Sequence, residues 1–174
     1  MPSHSEFLPR IPARRRALAA ASAWALAACT GEALAQMSRP QVTLNSVAPF
    51  DTHTWQRLVA QGPRPAAYIF ATTNCPACTE AFDALFAYIR DSRKMAELVI
   101  VLMDVHGVEA LAHARFYVGA TRMYGFSGPE AEIRRSITAQ WPSTLPYVVL
   151  LGRDGSARQI HGTPPAEVLR QWLS

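Results

Sequence analysis

Three observations predict an α/β domain. AAYIFAT (66–72) and ELVIVLMDV (97–105) are short, mostly apolar runs with the length of buried strands, the second rich in β-branched residues. Between them, from Pro76 to about Arg90, Cys78, Phe82, Leu85, Phe86 and Ile89 recur at i, i+4, i+7, i+8 and i+11, a single apolar stripe along a helix. Strand, helix and strand in that order make a parallel βαβ unit. Farther on, PYVVLLGRDGSARQIHG reads as a hairpin, with strand 147–151, a turn through Asp154-Gly155 and strand 156–161.

The remaining elements fall around these landmarks. VTLNSVAPF, within 36–50, supplies a short first strand. DTHTWQRLVAQG (51–62) reads as a helix capped by Thr52 or Thr54, with Trp55, Leu58 and Val59 on one face and Gly62 at its end. Within the less regular stretch 106–140, VEALAHARFYV (108–118) and SGPEAEIRRSI (127–137) are helical in pattern, the second with Ser127 near its cap and Pro129 in its first turn. TPPAEVLRQWL closes the chain as an amphipathic helix.

The front end reads as an export signal. Arg10, Arg14, Arg15 and Arg16 precede a twelve-residue apolar stretch, ALAAASAWALAA (17–28), too short to span a bilayer comfortably but suited to a signal h-region. Ala33 and Ala35 occupy the small-residue cleavage positions before Gln36, which divides the chain into a signal peptide, 1–35, and a folded domain, 36–174. A competing reading takes Leu26-Ala27-Ala28-Cys29 as a lipobox. Cys29 would then be lipidated and bring the domain to the membrane, and a third reading leaves the segment as an uncleaved anchor. The arginine run also faintly resembles a twin-arginine signal. Each reading sends the domain to the periplasm or another extracytoplasmic space.

Without residues 1–35 the chain carries 13 basic and 11 acidic residues, and no basic cluster interleaved with aromatics follows, so nucleic acid is not an expected partner. The domain keeps two cysteines, Cys75 and Cys78, in FATTNCPACTEAF. Structural zinc needs about four ligands. There is no second cysteine pair, and His53, His106, His113 and His161 are scattered. Neither a metal nor any other cofactor is expected, although copper(I) accepts two thiolates, and Met103, His106 and Met123 could assist it. A structural staple closing so short a loop would remove little chain entropy.

Redox chemistry explains the placement better. Cys75 follows a buried strand and immediately precedes a helix, where free N–H groups and the helix dipole stabilise a thiolate. Pro76 suits the first helical position, since its missing N–H would have been unpaired there. Cys75 is therefore expected as the exposed nucleophile and Cys78, heading the apolar stripe, as the shielded thiol that resolves a mixed disulfide.

The strand-CPAC-helix arrangement, followed by the distant LPYVVLLGRDG, resembles the thioredoxin superfamily. The signal sequence, the added central segment and the strand ending in an Asp-Gly turn are similar to its TlpA/ResA-like periplasmic thiol-disulfide oxidoreductases. The resemblance covers roughly residues 45–173. It implies a thioredoxin-like fold, a central mixed sheet flanked by helices, with a helical insertion at about 106–140. It also implies that Pro146 is a cis-proline facing the cysteines, with Leu145 just before it at the substrate. Trp141, preceding Pro142, reads either as lining the substrate groove beside Pro146 or as an ordinary packing residue. This chain departs from the family pattern at Asn74, where tryptophan is usual, at the Pro76-Ala77 dipeptide and at Leu145, and AAYIFAT holds no buried aspartate.

The function expected is an extracytoplasmic thiol-disulfide oxidoreductase, acting as a reductase on protein disulfides and supplied by a membrane thiol donor. Ala77 offers neither charge nor a hydrogen bond to Cys75, which favours a reducing couple, nearer about −270 mV than about −120 mV. The alternatives are a thioredoxin-fold copper-binding or assembly factor, or a non-catalytic interaction module of an envelope assembly. Asp104, at a strand end, reads as a solvated acid that could also move protons, and His106 as a loop residue. Arg134 and Arg135 belong to the wet face of a helix.

Overall fold

A computed structural model describes residues 44–174, so the basic start, the apolar stretch, Cys29 and the cleavage positions at Ala33 and Ala35 lie outside the described residues. In chain order the elements are β1 (Ala48–Phe50), α1 (Thr54–Gln61), β2 (Ala66–Ala71), α2 (Pro76–Ser92), β3 (Glu97–Leu102), α3 (Gly107–Ala112), a 3-10 turn (His113–Phe116), β4 (Arg122–Phe126), α4 (Glu130–Ile137), β5 (Tyr147–Leu151), β6 (Ala157–His161) and α5 (Ala166–Trp172).

The six strands form one mixed sheet in the order β1-β4-β3-β2-β5-β6. β1, β4, β3 and β2 are parallel, while β5 runs antiparallel to β2 and β6 antiparallel to β5. The expected βαβ unit is β2-α2-β3, and the expected hairpin is β5-β6. The 106–140 insertion carries helices, and also a strand that the sequence reading did not foresee. β4 slots between β3 and β1 and moves β1 to the sheet edge. Both edges are modest: β1 is three residues long and contains Pro49, and β6 is exposed at every position except the half-buried Ile160.

Alternation along β2 builds two cores. Ala67, Ile69 and Ala71 face a layer made by Cys78, Phe82, Leu85 and Ile89 of α2 together with Leu169 and Trp172 of α5. Ala66, Tyr68 and Phe70 face Trp55 of α1 and Ile133 and Ile137 of α4. All six β2 residues are buried, which explains why that strand reads as a continuous apolar run rather than an alternating one. Each fully buried leucine or phenylalanine of the α2 stripe contributes about 1.5–3 kcal/mol over its exposed state. Trp172 Nε1 donates to the Leu151 carbonyl at 2.8 Å, tying the last helix to β5.

Helix starts differ in detail from expectation. α1 begins after His53 rather than on a Thr52 cap. Asp51 organises the turn instead: its carboxylate accepts from Thr54 Oγ1 at 2.7 Å and from the His53 N–H at 2.9 Å. Those hydrogen bonds, the Thr54 one first, hold the Asp51 carboxyl below its usual range. The 108–118 segment is not one helix, because α3 ends at Ala112 and tightens into the 3-10 turn. Two X-Pro bonds are cis: Leu145-Pro146, as the resemblance implies, and Arg64-Pro65, which nothing in the sequence reading indicated.

Candidate active site

β2 delivers the chain to the carboxyl end of the sheet, and a turn of four residues leads into α2. Cys75 sits at the N-cap of α2 and Pro76 at its first turn, the corner the sequence predicts. No side chain caps this helix, and Pro76 in its first turn has no N–H to offer. The Cys78 N–H donates to the Cys75 carbonyl at 3.0 Å, and Thr79 Oγ1 donates to the Pro76 carbonyl at 2.8 Å.

The two cysteines form a disulfide with Cα atoms 5.3 Å apart. Their surroundings differ. Cys75 is half-buried, whereas Cys78 has no exposure and joins the α2 core with Phe82 and Leu85. Only Cys75 of the pair opens onto solvent.

The loop before Cys75 is fixed from the neighbouring strand. Asp104, just past β3, accepts from the Thr73 N–H at 2.9 and 3.1 Å and from Thr73 Oγ1 at 2.7 Å. The Met103 N–H donates to the Ala71 carbonyl at 3.0 Å, extending the β2–β3 pairing up to the site. Asp104 is thus an exposed side chain with a definite structural task, holding the residue two positions before Cys75.

Pro146 reaches the same end of the sheet through β5. Phe70 pairs with Tyr147 in antiparallel register, which sets Pro146 level with Ala71 and with the corner that follows it. Pro146 is buried and Leu145 half-buried, Leu145 packing against both cores. Trp141 packs edge-on to Tyr147 at 4.9 Å and to Phe70 at 5.5 Å, with the Arg134 guanidinium 5.4 Å from its ring centroid. Arg134 therefore leaves the wet face expected for it, while Arg135 stays exposed. Tyr147 is driven above the usual phenol range by burial.

A cleft of about 370 Å³ opens beside Cys75. Asn74, Cys75 and Pro76 form one wall, and His113, Phe116 and Tyr117 of the inserted segment form the other. Trp141, Leu145 and Pro146 do not line it. The second wall was missed from sequence because 108–118 reads as a uniform helix. The signal lies in its large apolar residues, Phe116 and Val118, which fit no buried stripe. Tyr117 is buried and its hydroxyl is pushed up to about 12, chiefly by that burial and secondarily by the Asp104 charge. Another hollow, about 290 Å³, lies at the opposite end of the sheet by the β5–β6 turn, and no cysteine lines it.

Two of the three side chains that could assist copper lie apart. Met103 is buried in the core on the α1 side of the sheet and Met123 in the core on the α2 side, so the two thioethers cannot converge. Among the described residues, no group of three or more His, Cys, Asp or Glu side chains is placed to hold a metal ion.

No protein-family model matches the chain. No curated protein matches it either. Solved structures do resemble it. A thio-disulfide isomerase from Thermus thermophilus is 16% identical, with 65% of this chain and 79% of that one covered and a TM-score of 0.47. StoA from Bacillus subtilis is 21% identical, over 63% of this chain and 81% of that one, with a TM-score of 0.42. A secreted disulfide oxidoreductase from Mycobacterium tuberculosis is 18% identical, over 59% and 70%, with a TM-score of 0.41. With β2-α2-β3 at its centre, an antiparallel β5-β6 hairpin entered through a cis-proline, a Cys-x-x-Cys at the β2–α2 corner and helices on both faces, this chain has the thioredoxin-like fold.

Proposed function

We propose that the protein is an extracytoplasmic thiol-disulfide oxidoreductase that reduces disulfides of partner proteins. The observation that carries this reading is the unequal burial of one bonded pair: Cys75 is open to a partner while Cys78 is sealed in the α2 core. In the reduced protein the Cys75 thiolate, stabilised by the first-turn amides and dipole of α2, attacks one sulfur of a client disulfide. A mixed disulfide forms and one client thiolate leaves, taking a proton. Cys78 then loses its proton and attacks Cys75 Sγ. The Cys75–Cys78 disulfide forms, and the second client thiol is released. The client gains two electrons and the protein loses two.

A dithiol donor must restore the reduced pair, and for an exported domain a membrane thiol carrier suits that task. The export signal at 1–35 supports the location, and among the described residues no helix is long and apolar enough to cross a membrane. Pro146 and Leu145, brought to the site by β5, are assigned to substrate docking, and Trp141 to the support of that segment from behind. The reducing direction is supported by Ala77, which is exposed and carries no polar group to stabilise the thiolate further.

Brief alkylation of the reduced protein, followed by peptide mapping, tests the division of labour. Label is expected on Cys75 first, by a wide margin. Preferential labelling of Cys78 would reverse the roles.

A further inference from the structure

The inserted segment departs from the rest of the surface. Three of the four large apolar side chains left exposed among the described residues belong to it: Val108 at 85% exposure, Val118 at 51% and Phe116 at 48%. A cluster of such residues within eleven positions is the sequence pattern of a contact surface rather than of scattered surface apolar groups. Phe116 is the member that lines the cleft beside Cys75.

That wall is built to present its ring. Tyr117, the next residue, is buried against Phe82 with ring centroids 5.3 Å apart, so it anchors the 3-10 turn to α2. Arg115 lays its guanidinium 4.8 Å from the Phe116 centroid, and His113 packs 5.9 Å from it. One face of the ring is thereby supported from within the turn. Opposite stand Pro76 and Cys75, and the cleft between is large enough for one or two side chains but not for a folded element.

We propose that in the exchange reaction this cleft takes the residue flanking the client's half-cystine, alongside the docking assigned to Pro146 and Leu145, and that it selects an extended client segment with an aromatic or large apolar residue at that position. The inference rests on the exchange reading above and adds a client class to it. The occupant follows from continuity with the reacting atom: a mixed disulfide on Cys75 fixes the client's sulfur at the cleft wall, so the residue flanking the client's cysteine is the group that falls between Pro76 and Phe116. The lining is neutral or basic, made of threonine, asparagine, proline, aromatic rings and His113, with Arg115 behind. It offers an apolar side chain a desolvated contact, and the acid that adjoins it, Asp104, already accepts from the Thr73 N–H and hydroxyl.

Two peptides test it, Phe-Cys-Phe and Ala-Cys-Ala with capped ends, each linked through its cysteine to thionitrobenzoate. Reduction by the full protein is followed from the absorbance of the released thiol. For the native protein the second-order rate constant for the phenylalanine peptide should exceed that for the alanine peptide by about tenfold, equivalent to about 1.4 kcal/mol of extra contact. In Phe116→Ala the ratio should fall to about one, and Phe116→Leu should restore much of it. A change in thiol reactivity or in folded fraction scales both rates together and leaves the ratio alone. A native ratio near one, or a ratio that survives Phe116→Ala, overturns the docking proposal while leaving the exchange reading intact. Reduction of neither peptide overturns the exchange reading, and this one with it.

Discussion

The two walls of the cleft are made by different rules. The Cys75 wall is a local construction: a buried strand runs out, proline opens the helix, and an apolar stripe seats that helix on the sheet. Those steps are written in neighbouring residues, although the Asp104 clamp on Thr73 reaches this wall from another strand. The Phe116 wall depends on distant ones. Its turn stays in place because Tyr117 and Ala120 are buried in the α2 core and because Gly119 lets the chain pass the Phe86 ring. The Cys75 wall is held chiefly by its own segment, and the Phe116 wall by packing against elements elsewhere in the chain.

The sharpest way to expose this contrast is at Gly119. Its φ is +101°, and a Cβ there would lie 2.3 Å from the Phe86 ring, which is stacked on Phe82. Gly119→Ala should destabilise the protein by about 1–3 kcal/mol, seen as a lower midpoint in urea unfolding. Pro76→Ala on the opposite wall should change stability by less than about 1 kcal/mol, because the first helical position needs no N–H partner. Equal effects at the two sites would remove the contrast.

Alkaline pH should separate the walls as well. The Tyr117 hydroxyl is raised to about 12 in the folded protein, against about 10 in an unfolded chain. The unfolded state therefore loses its proton first. Stability associated with Tyr117 is intact below pH about 10 and is lost as pH rises from about 10 to about 12. Tyr68 and Tyr147, both raised by burial, act in the same direction. Urea midpoints measured across this window should fall, and Tyr117→Phe should flatten the fall.

A smaller effect is expected from Ala77→His, which touches the reactive wall alone. A protonated imidazole in the first turn of α2 adds charge beside the Cys75 thiolate and stabilises the reduced form. The couple should become more oxidising by about 30 mV, the equivalent of about 1.4 kcal/mol, in a titration against glutathione buffers. The unfolding midpoint of the reduced protein should move little by comparison. An unchanged potential would mean that the helix start does not govern thiolate stability here.

The same division explains what could be read in advance. β2, α2, β3 and the β5–β6 hairpin were legible because each combines a clear period with its own punctuation, such as Pro76 or Asp154-Gly155. β4 was not. RMYGF is five residues with a glycine near its end, and its strand character comes only from pairing with β3 and β1. Gly125 is needed there because a Cβ would meet the Val105 carbonyl at 2.6 Å and the His106 Cα at 2.7 Å, a close approach invisible in one dimension. At the site, the unequal thiols and the cis bond at Pro146 were anticipated. The clamp from Asp104 to Thr73 and the Phe116 wall were not, since both join segments about thirty residues or more apart.

The modest sheet edges have a consequence for how the domain meets other chains. Exposed strand edges recruit passing chains by backbone pairing, the first step toward aggregation. Here β1 offers three residues interrupted by Pro49, and β6 presents Arg158, Gln159 and His161 to water. Neither edge is a long flat apolar template. A chain that collides with the domain therefore finds little to pair with along these two strands. On the exchange reading, capture of a client is then confined to the corner that carries Cys75.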